Sequence, residues 1–260
     1  MAVIHRTTMN PGKLELIASW LPSRPWYVRT ERGPELSKAG GFRLDDPQGE
    51  VGIEFMVVTD GSGEDAVSYH LPLTYRGAPL DGAEQALVGT SEHGVLGRRW
   101  VYDGVHDPVL VAQLIALVEG RAEPQAQSES DTPDPSVIRH FGGFESHGRP
   151  GEPGDPGDVG GAGRGGPSPG GDGLPAVGVP TAVAEGPDGT DLLLGVTPAT
   201  GATESARSPL TLTVARVLRA DGAESDGTTA GAVGGVSAGW RTPDGRERRG
   251  PFVVLRETAR

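Results

Sequence analysis

At 260 residues with 42 glycines and 23 prolines, the chain has room for one large or two small domains, but the part that can pack is smaller. A formal net charge of −12 argues against nucleic acid and anionic membrane surfaces as partners, since binders of either carry a basic surplus. The absence of cysteine excludes disulfides, thiolate nucleophiles and cysteine-ligated metals.

Ala2 to Arg6 is short and apolar, and reads as an edge strand. No basic, apolar and small-residue run marks a signal peptide, and no segment approaches the ~20 apolar residues of a membrane span, so the cytoplasm is the expected location. Asn10-Pro11 reads as an N-cap followed by proline at the first helical position. Leu14, Ile17, Ala18 and Leu21 follow at helical spacing, and Pro22 ends the run. Among 23 basic residues only Lys13 and Lys38 are lysine, which reads as codon usage in a GC-rich genome.

Val51, Ile53, Phe55 and Val57 fall on one face of a strand with Glu54 on the other. After the turn Asp60-Gly61-Ser62-Gly63, alternation resumes through Val67, Tyr69, Leu71, Leu73 and Tyr75, giving an antiparallel hairpin. Pro72 removes a ladder donor and predicts an edge position or a bulge. Val95 to Tyr102 reads as a third strand. Asp107-Pro108 then opens a second helix with a broad apolar face through Leu110, Leu114 and Leu117, closed by Gly120 and lying across the sheet.

Beyond Arg121 the composition changes. Glu123 to Pro135 is polar and proline-broken, and Gly151 to Gly173 is almost wholly Gly, Pro and Asp, too poor in apolar surface to offset its backbone entropy. Residues 123–187 are therefore expected as a disordered linker, between a domain at 1–122 and a region at 188–260 whose strands complete the same sheet. In that last region Leu192 to Val196 is weakly apolar, and Leu210, Leu212 and Val214 alternate in a segment running to Leu218. Val236 to Trp240 and Phe252 to Leu255 flank the turn Pro243-Asp244-Gly245 as a second hairpin.

Catalytic motifs fail on context. Gly161 to Gly166 spells a dinucleotide-binding pattern but follows no strand and opens no helix. Gly235-Val236-Ser237-Ala238-Gly239 spells a hydrolase elbow but is followed by a turn and a strand instead of a helix. Gly12-Lys13 is followed by Leu14 rather than Ser or Thr, and the sole asparagine, Asn10, is a helix-terminus residue, so neither a P-loop nor a kinase-like magnesium site can be assembled. No cofactor, metal or catalytic residue is expected. His93, Asp103, His106 and Asp107 form the one cluster of titratable side chains with a chemical pattern. Arg98-Arg99 and the run Arg241, Arg246, Arg248, Arg249 are basic patches that read as solvated hairpins.

Three stretches carry a family resemblance: Trp20-Leu21-Pro22-Ser23-Arg24-Pro25-Trp26-Tyr27; Val51 to Asp60 with Tyr69-His70-Leu71-Pro72-Leu73-Thr74-Tyr75; and Trp100-Val101-Tyr102-Asp103-Gly104-Val105-His106-Asp107-Pro108. Over roughly residues 1 to 120 the chain resembles the N-terminal cap domain of actinobacterial maltokinases, which phosphorylate maltose with ATP. It departs from their W-L-P-x-x-R-W-Y/F segment by placing Pro25 between the arginine and the second tryptophan. The resemblance implies an α+β fold, a curved antiparallel sheet packed by one or two helices in a cystatin-like topology, here standing without the kinase lobes. It carries no catalytic residue across. Arg24, Trp26, Tyr102 and Asp103 become candidates for structure or contact, with His93 and His106 as further contact candidates. The expected function is a non-catalytic accessory or interaction module in maltose, trehalose or glycogen metabolism, with a kinase or α-glucan enzyme as partner; the alternative is an enzyme or enzyme subunit acting on α-glucans or phosphosugars.

Overall fold

Short alternating segments separated by turns can bury their apolar faces together only as a sheet. The structure is a computed structural model that describes residues 8–30, 32–142, 177–196, 209–219 and 231–258. The strand expected at Ala2 to Arg6, the tract Gly151 to Gly173 and the motif at Gly161 to Gly166 lie outside the described residues.

The described strands are β1 (Met9–Asn10), β2 (Leu36–Leu44), β3 (Gly52–Asp60), β4 (Val67–Arg76), β5 (Leu87–His93), β6 (Gly97–Asp103), β7 (Gln125–Ala126), β8 (Ile138–Phe141), β9 (Val177–Glu185), β10 (Gly189–Val196), β11 (Leu210–Ala215), β12 (Ala232–Arg241) and β13 (Glu247–Glu257). They form one sheet in the order β1-β5-β6-β4-β3-β2-β12-β13-β11-β10-β9, with β7 beside β2 and β8 beside β12. With two short α-helices, α1 (Lys13–Trp20) and α2 (Pro108–Glu119), this mostly antiparallel sheet makes an α+β fold.

The sheet bends until it meets itself. Just past β11, Leu218 donates to Ser68 O at 2.8 Å and Arg216 O accepts from the His70 N–H at 2.9 Å, with Tyr69 bridged to Val217. Strands β4, β3, β2, β12, β13 and β11 thus close a ring. Its lining includes Phe42, Phe55, Leu212, Trp240 and Phe252, and the apolar face of α2 through Leu110, Leu114 and Leu117 joins the same core. Phe42 stacks on Phe55 with centroids 4.6 Å apart. A second core lies on the outer face, where α1 and the segment after it bring Ile17, Trp20, Leu21 and Trp26 against Met56, Val58, Tyr69 and Leu71. Strands β3 and β4 are consequently buried on both faces.

Asp107 caps α2 as its residue type predicts, its carboxylate accepting from Val109 N at 3.0 Å, and Gly120 ends the helix at φ 80°. Elsewhere the structure corrects the sequence. The N-cap of α1 is Gly12, not Asn10, because Asn10 is taken into β1 opposite Glu92. Pro72 is at neither an edge nor a bulge: β4 lies between β3 and β6 in unbroken register with β3. On its other side β6 pairs with Leu73 to Arg76, while residues 216–218 bond residues 68–70. Since His70 donates toward that side, the even-numbered residues of β4 aim their N–H groups there, and the proline falls where the sheet forks and no donor is needed. Residues 123–187, expected as a linker, contribute β7, β8 and β9. Pairing of Gln125 and Ala126 with Arg43 and Phe42 uses backbone groups alone and so needs none of the apolar side chains that the segment lacks.

Candidate functional site

The fork in the sheet gathers the charged groups. Asp103 ends β6 on one side, and Arg216 follows β11 on the other. Both are buried, and the Arg216 guanidinium reaches the two Asp103 oxygens at 2.8 and 2.7 Å and the Thr190 hydroxyl at 2.8 Å. Its plane stands over the Trp26 ring, 5.1 Å from the centroid. Trp26 is itself buried against Trp20 and Tyr69. The ion pair therefore plugs the gap that the diverging strands leave.

One turn on, Asp107 is equally buried and forms a two-pronged pair with Arg76, both contacts at 2.7 Å. His106 is half-buried in the turn between Asp103 and Asp107. His93 is elsewhere: it pairs with Gly97 at the opposite end of β6, about 20 Å along the strand from Asp103, and its Nδ1 accepts from Leu96 N at 3.0 Å. The cluster read from the sequence thus comes apart, with both carboxylates bound to arginines and His93 holding a hairpin turn. Tyr102 turns its hydroxyl to accept from Leu80 N at 2.9 Å. Arg24 is bound locally, donating to Ser23 Oγ and lying 5.0 Å from the Trp20 ring centroid. Of the candidate contact residues, Trp26 and Asp103 meet, through Arg216.

Inside the ring, His70 is fully buried between Phe55 and Phe252, whose centroids lie 5.9 and 4.4 Å away. Its Nδ1 is 2.9 Å from Ala215 O; a carbonyl only accepts, so Nδ1 carries the proton and Nε2 is a bare lone pair with no partner among the described residues. Burial, reinforced by the Arg216 charge and opposed by the Ala215 contact, pushes its pKa down to about 3.

On the outer face, Glu54 is buried and receives Lys13 and the Tyr75 hydroxyl on Oε2 and the Gln127 amide on Oε1. Burial raises its pKa, but the Lys13 charge and these three hydrogen bonds outweigh it and hold the carboxyl below its ordinary range. Burial and the same carboxylate drive the Tyr75 phenol well up. An open depression of about 340 Å³ lies at the β3–β4 turn, lined by Glu35, Asp60, Asp65 and Arg32 among others. There Asp60 accepts from the Tyr27 hydroxyl at 3.0 Å and Glu35 N at 2.7 Å. Ser237 sits mid-strand in β12 between Ile138 and Pro251, with no elbow. Among the described residues, no three His, Asp or Glu side chains come together to hold a metal.

Arg216, Arg76, His70 and the surroundings of Glu54 were not singled out from the sequence. Arg216 had a signal: it continues the parity of Leu210, Leu212, Val214 and Leu218, and a charge at an inward position of an alternating strand must find a buried partner.

A ring-shaped antiparallel sheet whose buried charges are paired internally defines a packed scaffold domain. Within it, residues 20–107 match the family model described as the maltokinase N-terminal cap domain, a stretch from the end of α1 to the capping residue of α2. No curated protein matches the chain. Among the described residues, no helix is long and apolar enough to cross a membrane.

Proposed function

We propose that this chain is a non-catalytic accessory or interaction module of the maltokinase-cap kind, working in the cytoplasm with a kinase or α-glucan enzyme of maltose, trehalose or glycogen metabolism. The observation that carries this reading is the family match over residues 20–107. It is supported by the use of that stretch's buried carboxylates: Asp103 and Asp107 are each bound to an arginine, which suits a load-holding role better than proton transfer. The curved sheet with α2 across its inner core also suits the cystatin-like description of such caps. In this reading the module supplies a rigid surface and the partner supplies the chemistry.

Affinity purification of the tagged protein from its native cytoplasm, with mass spectrometry of bound proteins and an ATP-plus-maltose assay on the eluate, tests it. A stoichiometric kinase or glucan enzyme is the expected result. Turnover by the purified chain alone, abolished by His106→Ala, would favour the enzyme alternative instead.

A further inference from the structure

The chain writes its cations as arginine at every position but two, and those two lysines come to one place. Lys13 opens α1 and places its ammonium on Glu54 and above the Tyr75 ring, 4.8 Å from the centroid. Lys38 lies on β2 opposite Val58 of β3. Residues directly opposite in an antiparallel pair share a face, and Glu54, Met56 and Val58 alternate onto the outer face of β3, so Lys38 stands on the face that holds Glu54.

The count of charges on that face is uneven. Glu54 is the carboxylate within electrostatic reach of Lys38, and its oxygens already accept from Lys13, Tyr75 and Gln127. Lys38 is exposed and makes no ion pair or hydrogen bond among the described residues, while the Lys13 ammonium is its like-charged neighbour. An amine in this position gains less than usual from being protonated. Partial burial first and the Lys13 charge second lower its pKa, against the opposing pull of Glu54. An arginine here could not give up its proton; a lysine can.

We propose that Lys38 is a covalent acylation site that takes small acyl phosphates, because Lys13 has claimed the one carboxylate that would otherwise hold its amine as ammonium. The neutral amine attacks the acyl carbon, an amide N–C bond forms, the C–O bond to phosphate breaks, and the amine proton leaves on the phosphate. Loss of the charge also removes the repulsion between the two lysines, so the acylated chain keeps its fold.

Having only two lysines makes the test internal. The full chain is treated with limiting acetyl phosphate at neutral pH, and acetylation of Lys13 and Lys38 is followed over time by peptide mass spectrometry, in buffer and in denaturing urea. Lys38 is expected to react several-fold faster than Lys13 in the folded chain, and faster folded than unfolded, although unfolding exposes it fully. Lys13→Gln, which frees Glu54 to pair with Lys38, is expected to slow Lys38; Lys13→Arg, which keeps the charge, is expected to leave it fast. A Lys38 rate in the folded wild-type chain at or below its rate in urea overturns the proposal, whether or not either variant folds. So does a Lys38 rate unchanged by Lys13→Gln in a folded variant.

Discussion

Lowering the pH from 7.5 to 5.0 should weaken this fold through one side chain, His70. Its ring is held neutral inside the barrel with a pKa of about 3, against 6.5 for the free side chain. The unfolded chain therefore binds the proton first. Above 6.5 the group is neutral in both states and contributes nothing; as the pH falls from 6.5 toward 3, protonation favours the unfolded state increasingly, and below 3 the loss levels off. At pH 5.0 the imbalance is about 1.5 proton-binding units, each worth about 1.4 kcal/mol, so stability drops by about 2 kcal/mol relative to pH 7.5. Urea unfolding followed by tryptophan fluorescence at several values between these limits measures it. His70→Asn is the control, because an amide nitrogen can replace Nδ1 as donor to Ala215 O without titrating. The wild type should lose about 2 kcal/mol more than the variant across this window. Parallel losses in the two proteins would refute the buried neutral imidazole.

Other consequences can be checked on the same apparatus. Arg216→Met leaves the Asp103 carboxylate buried without its guanidinium and should cost about 3–5 kcal/mol, whereas adding Asp103→Leu should return much of that loss in thermal melts. Gly120→Ala forces a side chain to φ 80° and drives its Cβ to 2.4 Å from the Arg139 guanidinium, so α2 should lose about 1 kcal/mol in urea titrations, or more if Arg139 cannot swing away. Residues 1–122 produced alone lack β10 to β13 and the closing segment 216–218, and calorimetry should find no cooperative transition near that of the full chain.

Local signals were legible where local chemistry decides the structure. Asp107-Pro108 and Gly120 mark the ends of α2, and Pro243-Asp244-Gly245 marks the β12–β13 hairpin, because caps and turns depend on the residues that form them. Long-range decisions were not legible. The alternation of Val67 to Tyr75 suggests one buried face, yet His70 and Thr74 are buried too, since the other face lines the ring. Glu54 reads as a solvent-facing residue until α1 brings Lys13 over it. Strand β5 offers only Leu87 and Val88 as apolar residues and is held by backbone pairing to β6 and β1. The proposed contact residues divide in the same way: Asp103 and Trp26 acquire their meaning from Arg216, which is distant in sequence and carries no motif.

The closure between β4 and residues 216–218 also has a meaning in time. On a ribosome adding about 5–20 residues per second, the hairpin β3–β4 is made many seconds before the segment that will bond Ser68 and His70 exists. Throughout that interval β4 presents a naked, apolar-flanked margin to every other nascent chain nearby. The proline at position 72 interrupts that margin at its middle, leaving no continuous row of donors for a stranger to pair with. A residue that divides the finished sheet thus also acts as a guard on the unfinished one.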